Sequence, residues 1–180
     1  MARDLHKKPF REHTISKLEL FFDHAKAWLS VFARSHDAKK KMPGRLRIYD
    51  FFCGPGRDEH GQEGSPLLVM RAVNEFREDI QRSGLDVGAL FNDVDKTKVD
   101  ELRETLDKEG YSSGPWQLDF RHANFEQVFA ETYPSMRGQG NLILLDQHGI
   151  KFFTPELFQK LRELSWTDTL IFMSSSYAYR

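Results

Sequence analysis

Between Arg47 and Met173 short apolar runs alternate with stretches of helical period, and few folds accommodate that rhythm. Arg47 to Phe52, Val87 to Phe91, Trp116 to His122, Asn141 to Leu145 and Thr169 to Met173 read as five strands. The fourth runs on without polar alternation, the mark of a strand covered on both faces. Between them lie four helices. Ser65-Pro66 opens the first as cap and first-turn proline, Val69, Val73, Phe76 and Ile80 face one way, and Gly84 closes it. Thr97 to Lys108 is the second, Phe125 to Tyr133 the third, broken by Pro134, and Pro155 to Leu164 the fourth. Strands alternating with helices give right-handed βαβ units, hence an α/β chain with a Rossmann-like, doubly wound parallel sheet and helices on both faces.

An amphipathic helix precedes the sheet. Ile15, Leu18, Phe22, Ala25, Leu29 and Phe32 recur at steps of three and four from His13 to Phe32, with Thr14 or Ser16 as cap and Ser16/Glu19 as a capping box. The basic stretch His36 to Arg45 cannot prolong it past Pro43. The expected division is a basic helical arm over 1–45 and a Rossmann-like domain over 46–180.

The chain is 180 residues long, with 39% hydrophobic and 29% charged residues, which is one domain's worth of soluble, folding sequence. The single cysteine, Cys53, excludes an internal disulfide and a structural Cys-based zinc site. No apolar run is long enough to span a membrane and the first residues lack the apolar core of a secretory signal, so a cytoplasmic location is expected. The net charge of −1 is unevenly placed: residues 1–47 carry 12 Lys/Arg against 5 Asp/Glu, residues 48–180 carry 14 against 22. A basic segment of this kind suits an anionic partner such as nucleic acid, or simply solvates a helix face.

In doubly wound sheets ligands bind beyond the carboxyl ends of the strands, so the chemistry is sought in those loops. Strand one leads into Asp50-Phe51-Phe-Cys-Gly54-Pro-Gly56, an acid followed by two glycines that let backbone amides approach a ligand or simply make a tight turn. It has neither the third glycine of GxGxxG nor the GK[ST] of a phosphate loop, which argues against an NTPase. Strand two ends at Asn92-Asp93-Val-Asp95, where a carboxylate can accept both hydroxyls of an adenosine ribose; Asp93 is the first choice and Asp95 the second, and either can instead cap the next helix. Asn124, after strand three, is placed to read an adenine edge or to cap a helix. Strand four exits through Asp146-Gln147-His148-Gly149, an acid, an amide and an imidazole that folding alone does not require.

Together these features resemble the S-adenosylmethionine-dependent methyltransferase fold. More narrowly, His13-Thr14-x-x-Lys17, Asp50-x-Phe-x-Gly-Pro-Gly-Arg57, Gly64-Ser-Pro66, Leu145-Asp146-Gln-x-Gly149 and Ser174-Ser-Ser-Tyr177-x-x-Arg180 resemble the three-Cys-motif partner family over most of the chain. That resemblance implies strand order 3-2-1-4-5 and S-adenosylmethionine as cofactor. It carries Asp50, Gly54, Gly56 and Asp93 over to the cofactor pocket; Phe51 and Asn124 join the cofactor candidates by their place in the loops, and Asp146, Gln147 and His148 are the catalytic candidates. The resemblance also implies a partner protein bearing a three-cysteine motif. Cys53 stands where that family usually has alanine. Such proteins normally continue past the fifth strand, so later strands are expected to be missing here, leaving an edge for a partner or a second copy to cover.

Two functions follow. One is a methyltransferase whose acceptor is unidentified, nucleic acid being favoured over a small molecule by the basic segment. The other is a non-catalytic or partner-dependent binding module that keeps the fold. The strand-four exit has neither the Asp/Asn-Pro-Pro-aromatic motif of DNA amino-methyltransferases nor a Pro-Cys loop for C5-cytosine chemistry. Asp58, Glu59, His60 and Glu63 match no metal-ligand spacing, so no metal is expected, and their loop reads as a solvated, mobile lid. Cys53 is expected to be a small residue packed beneath the turn.

Overall fold

A computed structural model describes residues 10, 12–34, 42–146 and 151–172. In order they form α1 (Glu12–Ala33), β1 (Arg45–Asp50), α2 (Ser65–Glu75), α3 (Arg77–Ser83), β2 (Asp86–Asn92), α4 (Lys96–Lys108), a short 3-10 turn (Tyr111–Ser113), β3 (Trp116–Arg121), α5 (Phe125–Met136), β4 (Gly140–Leu145), α6 (Pro155–Arg162) and β5 (Thr167–Ile171). The five strands are all parallel, in the order β3-β2-β1-β4-β5. This is the Rossmann-like, doubly wound sheet that the alternation predicts. It brings the exits of β1, β2 and β4 side by side.

Two apolar layers flank the sheet. On one face Leu46, Ile48, Val87, Ala89, Phe91, Leu142 and Leu144 pack with residues of α1 to α4; on the other Tyr49, Leu90, Ile143 and Leu145 pack with α5 and α6. Leu142 and Leu144 serve one layer while Ile143 and Leu145 serve the other, which is why β4 shows no polar alternation. The leading helix belongs to the first layer: Leu18, Phe21, Ala25, Trp28, Leu29 and Phe32 are buried there. It packs along α2 and therefore lies on the sheet over Glu12–Ala33. Because it begins at Glu12, Thr14 and Ser16 fall inside its first turns, where neither can act as the expected cap.

Three local readings change. The helix expected up to Gly84 is two, because Phe76 leaves helical geometry and its amide donates three residues back to Val73. The apolar period runs straight across this break, so the pattern conceals it. Ser65 is not the cap of α2; Gly64 is, and the Ser65 hydroxyl is used elsewhere. Pro134 does not end α5, which continues to Met136. Both Pro134 and Ala130, whose carbonyl loses its helical partner, are exposed, so that carbonyl is open to solvent.

The five described Lys/Arg residues of the basic segment all pair with acids beyond position 47: Lys17 with Asp146, Lys26 with Glu75, Arg34 with Asp79, and both Arg45 and Arg47 with Asp86. The uneven charge is thus in part an internal complement between α1, β1 and the rest of the fold. Among the described residues no helix is long and apolar enough to cross a membrane.

Candidate functional site

Asp50 ends β1 with its side chain 1% exposed. The Ser65 hydroxyl donates to its Oδ2 at 2.7 Å and the Phe52 amide to its Oδ1 at 3.2 Å. Burial pushes its carboxyl up to about 7; those two donors oppose the rise, while the neighbouring Asp146 and Asp93 carboxylates add to it. Asp50 therefore senses the acids at the two strand exits beside it.

Asp93 follows β2 immediately. Its Oδ2 accepts from the Gly54 amide at 3.2 Å and its Oδ1 from the Asp95 amide at 2.9 Å, so each oxygen keeps a lone pair for a further donor. Asp95 is the cap of α4, accepting from the Thr97 amide at 3.0 Å. The two acids divide their labour: Asp95 starts the helix and Asp93 holds the glycine turn.

The turn is shaped from within as much as toward a ligand. Gly54 and Gly56 have φ of +62° and +89°, a region that L side chains rarely occupy. A Cβ on Gly56 would stand 2.8 Å from Leu102 Cδ1, so that methyl would have to shift, and the positive φ strains any other residue there. Cys53 lies beneath the turn, its amide donating to the Asn92 carbonyl at 2.9 Å, and burial pushes its thiol well above the ordinary range. Asn92 laces the exits together. Its amide donates to the carbonyls of Phe51 and Ala123, each at 3.1 Å, and its oxygen accepts from the Ala123 amide at 3.2 Å.

Phe51 leaves the expected cofactor group. Its ring is fully buried against Tyr49, Phe125 and Phe129 in the layer under α5, so its side chain is core and its backbone alone belongs to the turn. Asn124 is the cap residue of α5 but makes no side-chain capping bond, and its amide is exposed beyond β3. Asp146 directly follows β4, and its Oδ2 accepts from the Nζ of Lys17, which reaches across from α1. Gln147 and His148 lie outside the described residues.

The 57–64 loop, expected to be a mobile lid, is laced by its own hydrogen bonds. Asp58 accepts from the amides of Phe10, His60 and Gln62 at 2.8, 2.9 and 2.9 Å; burial works against its charge, but these donors prevail and hold its carboxyl below the usual range. Arg57 bridges to Glu63 by backbone pairing and donates to the Gly61 carbonyl at 2.6 Å. Among the described residues no three His, Cys, Asp or Glu side chains converge as metal ligands would.

Surface hollows lie away from this convergence. One groove of about 300 Å³ sits between α1 and the 57–64 loop, another of similar size between α1 and Trp166. Neither reaches the strand exits. Convergent polar groups and a displaced pKa are the better marker of a ligand site than hollow volume alone. Ser65, Asn92 and Lys17 are not among the candidate site residues of the sequence, although the resemblance motifs contain Ser65 and Lys17 and Asn92 stands beside Asp93.

The class defined by fold and strand exits is a parallel, Rossmann-like α/β protein with acids closing β1, β2 and β4. Among solved structures the chain is similar to a methyltransferase from Geobacter sulfurreducens, with a TM-score of 0.38 and 10% identity over 87% of this chain and 67% of that one. At that score and identity the overlap is silent on chemistry. No family model and no curated protein sequence matches.

Proposed function

We propose that the chain is an S-adenosylmethionine-binding protein of the methyltransferase type, related to the three-Cys-motif partner family. The observation that carries this reading is the trio Asp50, Asp93 and Asp146 at adjacent strand exits around the Gly54–Gly56 turn. Asp93 would take the ribose hydroxyls on its spare lone pairs, Asn124 the adenine edge, and Asp50 with Asp146 the cationic end of the molecule. The donor set fits such a ligand, since its hydroxyls, ammonium and sulfonium all want acceptors or negative charge. When bound, the cofactor supplies an electrophilic methyl group on sulfur. The acids of this chain orient and balance its charge, and alignment rather than a strong base is the main demand of such a transfer.

A nucleic-acid acceptor is favoured by the basic excess of residues 1–47, although five of its 12 Lys/Arg pair within the fold, and a three-cysteine-motif partner by the family resemblance. A second reading, a partner-dependent binding module, draws on β5, which pairs with β4 along one side and has no strand on the other among the described residues. Calorimetric titration with S-adenosylhomocysteine tests the first reading. Binding is expected, and Asp93→Ala is expected to weaken it about tenfold or more. Absence of heat at millimolar ligand sinks the cofactor assignment.

A further inference from the structure

Lys17 reaches from α1 to the acid at the exit of β4. It stands early in α1, 129 residues from its partner Asp146, with its side chain 20% exposed. Its Nζ pairs with Asp146 Oδ2 and lies 5.7 Å from the centre of the Phe172 ring, just past β5. Phe21, one helical turn on, meets Phe172 edge-on at 4.6 Å and fixes α1 against that strand. The lysine is thus held over the exits of β4 and β5 by packing as well as by charge.

We propose that Lys17 is a positioning residue that neutralises Asp146 and thereby sets how strongly the site prefers a sulfonium ligand to the neutral thioether left after methyl transfer. The inference rests on the function proposed above. A free carboxylate would favour the positively charged S-adenosylmethionine over S-adenosylhomocysteine, whose sulfur is uncharged. A lysine paired to that carboxylate offsets the bias and keeps the two affinities close, which lets product and substrate exchange. Packing alone predicts no such ligand discrimination.

The test compares both ligands by calorimetry on the whole chain, for the parent protein, Lys17→Met, Lys17→Arg and Asp146→Asn. Met keeps an unbranched stem against Phe172 while removing the charge. In Lys17→Met the affinity ratio of S-adenosylmethionine to S-adenosylhomocysteine is expected to rise about threefold or more, because Asp146 becomes uncompensated. Lys17→Arg should restore the parental ratio, and Lys17→Met should change nothing when Asp146→Asn is already present. Equal weakening of both ligands, or an unchanged ratio, overturns the proposal while leaving the cofactor site standing. Failure of both ligands to bind the parent protein overturns both.

Discussion

At the amino end of the sheet Asp86 accepts from Arg45 at 2.8 Å and from Arg47 at 2.9 Å, with the Gln117 amide at 3.2 Å completing the group. At the carboxyl end buried Asp50 lies within electrostatic reach of Asp93 and Asp146, with Lys17 paired to the last. Desolvation acts against both Asp86 and Asp50. The two arginines prevail at Asp86 and hold its carboxyl low, whereas at Asp50 burial wins and the neighbouring acids reinforce it. A fold that can satisfy its acids with arginines at one end has no stability reason to crowd acids at the other. Crowding of that kind makes sense where a ligand completes the balance.

Asp50→Asn should break the contrast most strongly. The folded carboxyl titrates near 7 against an ordinary value of 3.8, so from about pH 4 to 7 the native state holds a proton that the unfolded chain has lost. Stability from this group is therefore greatest at acid pH, declines as pH rises through that window, and is level above it. The full decline is at most about 4 kcal/mol. Asparagine keeps an acceptor for the Phe52 amide and a donor for the Ser65 oxygen, so the variant should be more stable than the parent at pH 8 and lose this part of the pH dependence. Urea unfolding at pH 5 and pH 8 reads both effects, and an unchanged slope would show that Asp50 is ionised and balanced in the native state. The same variant should bind S-adenosylmethionine less well.

A polar cluster near the amino end behaves in the opposite sense. Asn141 is fully buried, and its amide donates to Met136 and Gln139 carbonyls and to the Thr167 hydroxyl at 2.9, 3.3 and 2.8 Å. Its oxygen accepts from Gln139, which also donates to the Tyr49 hydroxyl at 2.7 Å. Asn141→Leu strands these buried partners and should cost about 3 kcal/mol, read as a lower urea midpoint at every pH. Ligand binding at the far end should be unaffected.

How much of this could be read beforehand follows from the range of each interaction. Strands and helices announce themselves by local period, so all five strands and the leading helix were legible, with ends misplaced by about two residues where polar Arg45 and Thr167 open strands. The acids at the strand exits were legible because each stands just where an apolar run stops. Their partners were not: Lys17 to Asp146 and Ser65 to Asp50 are fixed only once the sheet order and the packing of α1 are known. Phe51 misled because it sits inside a glycine-turn motif, yet the alternation of β1, carried one residue past Asp50, sends its ring to the face of Tyr49 and away from that of Ile48.

Gly56 tests whether position in the turn implies ligand contact. Gly56→Ala meets Leu102 Cδ1 and a φ of +89°, and should cost about 2 kcal/mol in thermal or urea unfolding. Adding Leu102→Ala removes the clash but not the backbone strain, so recovery should be partial at best. If the single variant unfolds like the parent, the turn has room that the packing denies, and its glycines exist for the ligand after all.

The smallest effect separates two lysines of one helix. Lys26, like Lys17, pairs with an acid, here Glu75 at 2.7 Å, and lies against an aromatic ring, that of Phe22 at 4.9 Å. But both members of its ion pair are more than a third exposed. Water screens such a pair, so Lys26→Met should alter stability by no more than about 0.5 kcal/mol and should leave the ratio of the two cofactor affinities at its parental value. That ratio is where the lysines part company. A shift in Lys26→Met as large as that in Lys17→Met would mean that the site responds to the net charge of α1 as a whole. A shift confined to Lys17 would mean that the carboxyl edge reads one ammonium group, through Asp146.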